Sequence, residues 1–368
     1  MKWVLILGLS AYAIGNLYVY VRLLQGVAHL PLWAKICGSL LFWLCATALF
    51  SAFALHDAGL SERILRTLYV VGSWWMVFTL YMCLTLLTTD VIHLVVPALS
   101  GRVWWALGIT LLLLVGGYLN YRLPRTQHLG IEVDKPIAKE RVRLAVISDI
   151  HLGYGTDRED LARYIELING QSPDAVLIVG DLIDNSVRPV EAEDMCAEFS
   201  RVCAPAGVYM VAGNHEYISD IEAVEAYLAN SAVRLLRDSV VTLPSDIVLV
   251  GRDDRANSER APLAELLASA DSSRPIVVLD HQPYDIEESA AAGCVDIHLS
   301  GHTHRGQVWP LSLLVDALYE QSYGYRRWGD MHAYVTSGLS LWGPPFRIGT
   351  NSELVIIDIT SSANTATR

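Results

Sequence analysis

Residues 143–151 read Arg143-Leu144-Ala145-Val146-Ile147-Ser148-Asp149-Ile150-His151. The apolar run is short and carries β-branched residues, which reads as a buried strand from Arg143 to Ser148. It ends in a carboxylate and an imidazole two residues apart. The same figure recurs down the chain. Ala175 to Val179 runs into Gly180-Asp181-Leu182-Ile183-Asp184, and Val208 to Val211 into Gly213-Asn214-His215-Glu216. Ile276 to Leu279 delivers His281, and Val295 to Leu299 delivers Gly301-His302-Thr303-His304. Further strands are expected at Ile247 to Val250, Ala333 to Thr336 and Leu354 to Ile359. Helical stretches at Arg158 to Asn169, Val190 to Val202 and Ile221 to Ala229 separate the early strands, the alternation of βαβ units. Ligands in α/β sheets gather at the carboxyl ends of strands, so these donors are expected to share one crevice.

Two divalent cations roughly 3.5–4 Å apart need a mixed oxygen and nitrogen shell, one shared carboxylate and open positions for water and phosphate. Asp and neutral His supply such a shell. The Asp149-x-His151 spacing is expected to sit on an extended segment, where alternate side chains point the same way. Gly180, Gly213 and Gly301 are expected to let the main chain turn tightly beside the site. Any one of these elements alone is an ordinary turn or a satisfied core residue. Five in succession, each at a strand end, point to a dinuclear metal centre.

This series resembles the calcineurin-like metallophosphoesterases over about residues 143–359, and the four apolar runs before it are similar to a membrane-associated branch of that family. The resemblance implies an α/β fold: an N-terminal four-helix transmembrane region followed by a βαβ sandwich of two packed mixed sheets flanked by helices. It implies hydrolysis of phosphomonoesters, phosphodiesters or pyrophosphates with two divalent metal ions, Mn, Fe or Zn. By position, Asp149, His151 and His304 would bind one metal, Asn214, His281 and His302 the other, and Asp181 both. His215 would be the catalytic histidine, oriented by Asp184. The phosphoprotein phosphatases of the family follow the second aspartate with Arg; here Asn185 stands there, which argues against a Ser/Thr protein phosphatase. Arg305 either contacts substrate phosphate or faces water.

The expected chemistry is in-line attack by metal-bound hydroxide, with protonated His215 giving its proton to the departing oxygen. A positioned acid contributes about 10²–10⁴-fold, so the metals supply the larger share.

The composition fits an enzyme tied to lipid. Of 368 residues, 52% are hydrophobic and 18% charged, with mean hydropathy +0.34. Apolar runs at Trp3 to Val21, Leu32 to Leu55, Leu68 to Thr89 and Val103 to Leu119 each suffice for a bilayer span of about 20 residues. The division expected is a transmembrane region at 1–121, a linker or leading strand at 122–140, the catalytic domain at 141–360 and a flexible tail at 361–368. An export signal cleaved near Ala11-Tyr12-Ala13 is the alternative reading of the first run, disfavoured because three more spans follow. Residues 1–121 hold six Lys/Arg and three Asp/Glu, leaving 21 and 36 for the rest. So acidic a remainder excludes nucleic acid as the main partner and suits a cation site. The six cysteines show neither redox nor metal-ligand spacing and read as free thiols, compatible with a reducing compartment.

Four spans put both termini on one side of the membrane. Lys2, Arg63, Arg66, Arg122 and Arg125 lie there, against Arg22, Lys35 and Arg102 on the other, which places the catalytic domain on the cytoplasmic side of a plasma or inner membrane. Asp90 and His93 fall near the end of the third span, close enough to reach water. Five tryptophans, Trp33, Trp74, Trp75, Trp104 and Trp105, cluster near helix ends as interfacial anchors or packing. The stretch Trp309 to Tyr319 is too short to cross a bilayer; it is either an apolar flap that admits an acyl chain or core packing. Trp328, Trp342 and Pro344-Pro345-Phe346 add apolar surface. The substrate expected is a phosphorylated lipid or a lipid-linked phosphoester or pyrophosphate, such as the nucleotide-linked lipid A precursors that some family members handle. A soluble nucleotide or small phosphodiester is the alternative. A membrane sensor, scaffold or transporter with a binding-only domain is the rival of another class, and it predicts missing ligands; none is missing.

Overall fold

The computed structural model describes residues 2–56 and 58–365. Asp57 and residues 366–368, the end of the expected tail, lie outside the described residues. The chain divides into two compact units, Met1–Arg122 with Gly343–Ile348, and Leu123–Trp342 with Gly349–Arg368.

The first unit holds four helices, α1 (Lys2–Gly26), α2 (Leu32–Ala54), α3 (Glu62–Val95) and α4 (Arg102–Tyr121). All four are long and apolar enough to cross a membrane, as the sequence leads one to expect. The third is longer than its apolar run. Its 34 residues rise about 51 Å, well beyond a hydrocarbon core of about 30 Å, and the extra N-terminal turn carries Glu62, Arg63 and Arg66. Asp90 does not stand alone near water. Its Oδ1 accepts from Arg22 Nη2 of α1 at 2.6 Å and Arg102 Nη1 of α4 at 2.8 Å, and its Oδ2 from the Tyr18 hydroxyl at 3.0 Å. The segment Gly343–Ile348, expected within the catalytic domain, groups instead with the helices. Arg347 N donates to Gly117 O, Asn120 Nδ2 donates to Arg347 O, and Phe346 packs edge-on to Trp74.

The second unit is a two-sheet sandwich. In chain order its elements are β1 (Arg125–Val133), β2 (Val142–Ile147), α5 (Arg158–Asn169), β3 (Ala175–Val179), α6 (Arg188–Ala192), β4 (Val208–Val211), α7 (Asn214–Ile218) and α8 (Ile221–Leu228). Then come β5 (Val233–Leu236), β6 (Ser239–Thr242), β7 (Val248–Gly251), α9 (Leu263–Ala268), β8 (Ile276–Leu279), α10 (Ile286–Ala291) and β9 (Ile297–Ser300). The unit closes with α11 (Leu311–Leu318), β10 (Gly324–Trp328), β11 (Met331–Val335), β12 (Glu353–Ser361) and α12 (Ser362–Thr365). One sheet has the order β1-β12-β2-β3-β4-β5 and the other β10-β11-β9-β8-β7-β6. In the first, β12 runs antiparallel to β2 while β2 through β5 are parallel; in the second, β11, β9, β8 and β7 are parallel with antiparallel edges β10 and β6.

Strand alternation sorts the side chains into layers. Leu144, Val146, Leu177 and Val211 meet Leu249, Val277 and Leu299 between the sheets. Ala145, Ile147, Val176 and Met210 face outward onto Leu161, Ile165 and Phe199, while Val248, Val278 and Ala333 pack on Leu263 and Ile286.

The segment expected as a linker or leading strand contains β1, paired with β12 over nine residues, so the linker reading is corrected for residues 125–133. The last strand runs on to Ser361, and Ser362–Thr365 add a helical turn where the tail was expected. The helix expected at 190–202 is instead the short α6 followed by a 3₁₀ stretch, Met195–Arg201. All six cysteines are free.

Candidate metal centre

The donors sit where the strands end. Asp149 and His151 follow β2, Asp181 and Asp184 follow β3, and Asn214 and His215 open α7 just beyond β4. These come from one sheet. His281 follows β8, and His302 and His304 follow β9, from the other. The crevice therefore lies where the carboxyl ends of the two sheets meet.

The chain does not bring these groups together by extended alternation. Asp149 (φ 53°), His151 (φ 51°), Asp181 (φ 53°), His302 (φ 70°) and His304 (φ 46°) are all left-handed, which corrects the extended reading of Asp149-x-His151. Non-glycine residues adopt that region seldom, and such conformations persist where surrounding structure over-determines them. Of the three glycines, only Gly180 has the positive φ expected, +80°, and a Cβ there would also come within 2.4 Å of His281 Nδ1. Gly213 and Gly301 serve close approach instead: added Cβ atoms would lie 2.2 Å from Asp181 Oδ1 and 2.6 Å from Asp149 Oδ2.

Three overlapping groups result, Asp149–His151–His304, His151–Asp181–His215 and Asp181–His281–His302, each with ligand atoms within 4.8 Å of one another. His151 Nε2 lies 3.1 Å from His304 Nε2 and 3.8 Å from Asp181 Oδ2. His304 Nε2 lies 3.4 Å from Asp149 Oδ1. His281 Nδ1 donates to Val179 O at 2.7 Å. A carbonyl only accepts, so in the neutral ring that binds metals the bond leaves Nε2 with its lone pair. That Nε2 is buried, 3.1 Å from Asp181 Oδ2, and makes no hydrogen bond. Asn214 Oδ1 is likewise shielded and unpartnered. Buried acceptors left open in this way fit ligation of a bound group, and a mixed carboxylate, imidazole and amide shell fits divalent cations.

Support for these ligands comes partly from residues to which the sequence reading assigned no role. Glu216, fully buried, accepts from Asp181 N at 3.0 Å, Ile183 N at 3.0 Å and Gly213 N at 2.7 Å, tying two donor loops together. The only sequence signal for it was its place at the end of Gly213-Asn214-His215-Glu216. Ser148 donates to Asp149, whose carboxylate also accepts from His302 N at 3.1 Å. His215 Nδ1 donates to Asp184 O at 2.8 Å and lies 3.3 Å from Asp184 Oδ1; Ser219 Oγ donates to the same carbonyl.

The electrostatics show a site that demands positive charge. Burial opposes ionisation of Asp181, but His281, His151 and His215 outweigh it and hold the carboxyl well below its usual range. Burial also disfavours a charged His215, yet the Asp184 hydrogen bond and the charges of Asp181 and Asp184 raise it to about 9. Burial and the neighbouring His281 lower His302 to about 3, keeping it in the neutral form that ligates metals. Burial and Asp181 raise Glu216 to about 7.

The calcineurin-like phosphoesterase profile matches residues 142–306, the stretch that carries every one of these donors. Residues 142–306 belong to the calcineurin-like phosphoesterase family. Relatives of the chain include an uncharacterized metallophosphoesterase of Campylobacter jejuni, 28% identical over 381 aligned positions, covering 95% of this chain and 96% of that one. An uncharacterized metallophosphoesterase of Helicobacter pylori is 32% identical over 66% of this chain, which spans 65% of it. A zebrafish transmembrane protein with metallophosphoesterase domain is 33% identical over 68% of this chain, which spans 61% of it.

Around the donors of the phosphoesterase domain stand aromatic and apolar groups. The ring of Trp342 lies 6.3 Å from His215, and that of Tyr319 6.2 Å from His302. The stretch read as flap or core is exposed: Trp309 at the start and Leu311, Leu313, Leu314 and Leu318 on α11 each show between 44% and 65% of their surface. Core packing is thereby corrected for those side chains.

Proposed function

We propose that this protein is a membrane-anchored phosphoesterase that uses two divalent metal ions to hydrolyse a phosphoester or pyrophosphate of a lipid or lipid-linked substrate. The observation that carries the metal-dependent part is the convergence of two three-residue donor groups, each with its own histidines, from four strand ends of two sheets. In this reading Asp149, His151 and His304 hold one ion, Asn214, His281 and His302 the other, and Asp181 both. When bound, the pair supplies Lewis-acid activation of water and neutralises phosphoryl oxygens.

The chain's own groups do the rest. Asp149 and Asp181 are held for the ions by Ser148, by His302 N and by the Glu216-tied loops, so the shell needs little rearrangement on loading. His215 keeps Nδ1 on the Asp184 carbonyl, which leaves Nε2 to hold the proton given to the departing oxygen. Asp184 keeps that imidazole basic enough to carry it.

The lipid part rests on the four spans and on the exposed α11. An enzyme tethered to a bilayer gains most when its substrate is confined to the same surface, and an exposed helix rich in Leu beside the donor loops suits an acyl chain better than water. The count of five basic residues against three supports a domain on the cytoplasmic face of a plasma or inner membrane.

The test uses the full chain in detergent, stripped by chelator and reloaded with Mn, Fe or Zn. Turnover of an aryl phosphate ester should vanish and return with metal; persistence after stripping overturns the metal-dependent reading. Deleting residues 311–318 should impair a long-chain phospholipid substrate more than the aryl ester. Equal impairment points to misfolding and withdraws α11 as support for the lipid reading.

A further inference from the structure

Arg305 follows His304 directly and is itself left-handed, at φ 50°. Its guanidinium lies 4.4 Å from the centroid of the Tyr323 ring. No ion pair or hydrogen bond engages that guanidinium among the described residues. The other arginines packed into this domain are spent on carboxylates: Arg143 on Asp358, Arg158 on Glu198, Arg237 on Asp253, Arg252 and Arg260 on Asp280. A cation held against a ring with its donors unused by the protein is free to take an anion.

Tyr323 is not a loose support. Its hydroxyl donates to Glu353 Oε2 at 2.9 Å, and Glu353 is fully buried on β12. The other oxygen of Glu353 accepts from Ser337 N at 3.0 Å. The next residue, Gly338, abuts Asp149 so closely that a Cβ on it would lie 2.9 Å from the Asp149 Cβ. Leu339 N then donates to Ser148 O. The perch of Arg305 is thus tied to the donor loops twice, through His304 along the chain and through Tyr323, Glu353 and Gly338 across it.

We infer that Arg305 is the anchor for an anionic phosphate oxygen of the substrate, and that Tyr323, held by Glu353, is its positioning residue. The inference rests on the phosphoesterase reading for its substrate but not for its measurement, because the anion can be tested without turnover. Inorganic phosphate is the probe, titrated by calorimetry into the full-length, metal-loaded protein in detergent. Loss of a charged, bidentate hydrogen-bond donor should weaken phosphate binding by roughly ten- to a hundredfold in Arg305→Ala, with metal content unchanged. Where the aryl ester is turned over, KM should rise by a similar factor and kcat should move little. Added guanidinium should restore part of the loss, which a merely structural role would not allow. Tyr323→Leu should weaken phosphate binding by roughly two- to thirtyfold, since it removes the ring beneath the cation. Tyr323→Phe keeps the ring and should cost less. Equal phosphate affinity in wild type and Arg305→Ala, or no phosphate binding in the metal-loaded wild type, overturns the anchor. Phosphate binding lost in Arg305→Ala, with no ester hydrolysed by the wild type, leaves the anchor standing and overturns the proposed function.

Discussion

Two carboxylates in this protein sit among positively charged partners and do opposite things. Asp90, in the helical unit, has both oxygens answered: two guanidinium groups on one and a tyrosine hydroxyl on the other, drawn from two other helices, α1 and α4. Asp181, in the two-sheet unit, has one oxygen accepting from His215 N, while the other faces His281 Nε2 at 3.1 Å and His151 Nε2 at 3.8 Å without a hydrogen bond to either. The first is a closed ion pair that joins helices. The second is an open shell whose nitrogens and oxygen point at common ground. Counting charges would not separate them; asking which lone pairs are already used does. Backbone says the same. Asp181 is left-handed and wedged against Gly213, whereas Asp90 lies inside a regular helix.

If that contrast is right, the largest effect belongs to the open carboxylate. Asp181→Asn removes the charge that both donor groups share, and elemental analysis should find the ions lost and turnover reduced by several orders of magnitude. Full metal occupancy in this variant would sink the shared-ligand assignment. His215→Ala should follow, with metal retained and turnover down roughly 10²–10⁴-fold; unchanged turnover would remove His215 from the chemistry. Asp184→Asn should cost less, roughly 10–100-fold. Its backbone carbonyl, which no substitution removes, makes the shorter contact to His215, at 2.8 Å against 3.3 Å for the side-chain oxygen. A loss in Asp184→Asn as large as that in His215→Ala would mean that the carboxylate, not the carbonyl, sets the imidazole.

The same contrast marks what could be read in the chain. The parallel inner strands β2, β3, β4, β8 and β9 were legible because strands buried on both faces read as unbroken apolar runs, and each ends at its donor motif. β1 reads as either a linker or a leading strand because it is half exposed and carries no continuous apolar run. β5, β6 and β10 were missed because short edge strands carry little pattern; β10 shows mostly exposed residues. The donors themselves were legible as residues, but the left-handed backbone that aims them was not, since only Gly180 advertised it. Glu216 stood in a quoted motif, yet two of its three backbone partners, Asp181 N and Ile183 N, lie in a loop that only the fold brings beside it. Asp90 was visible and its partners were not: Arg22 is 68 residues away, and no spacing along one helix announces a neighbour on another.

The smallest expected effect tests the closed pair. Arg102→Ala leaves Asp90 with Arg22 and Tyr18, so the oxygen that loses a donor keeps another. Contacts of this kind between membrane helices contribute about 0.6 kcal/mol, at most about 1.7, and Arg102 is itself part-exposed, which screens it further. Thermal unfolding in detergent should therefore shift slightly downward, while metal content and turnover per folded molecule stay at wild-type values. Asp90→Asn should shift it more, because both guanidinium groups then lose their counter-charge at once. Should either substitution abolish turnover while leaving the unfolding transition in place, Asp90 would have to be regarded as a working group rather than a fastener, and the distinction between filled and open shells would fail at the position where it is easiest to check.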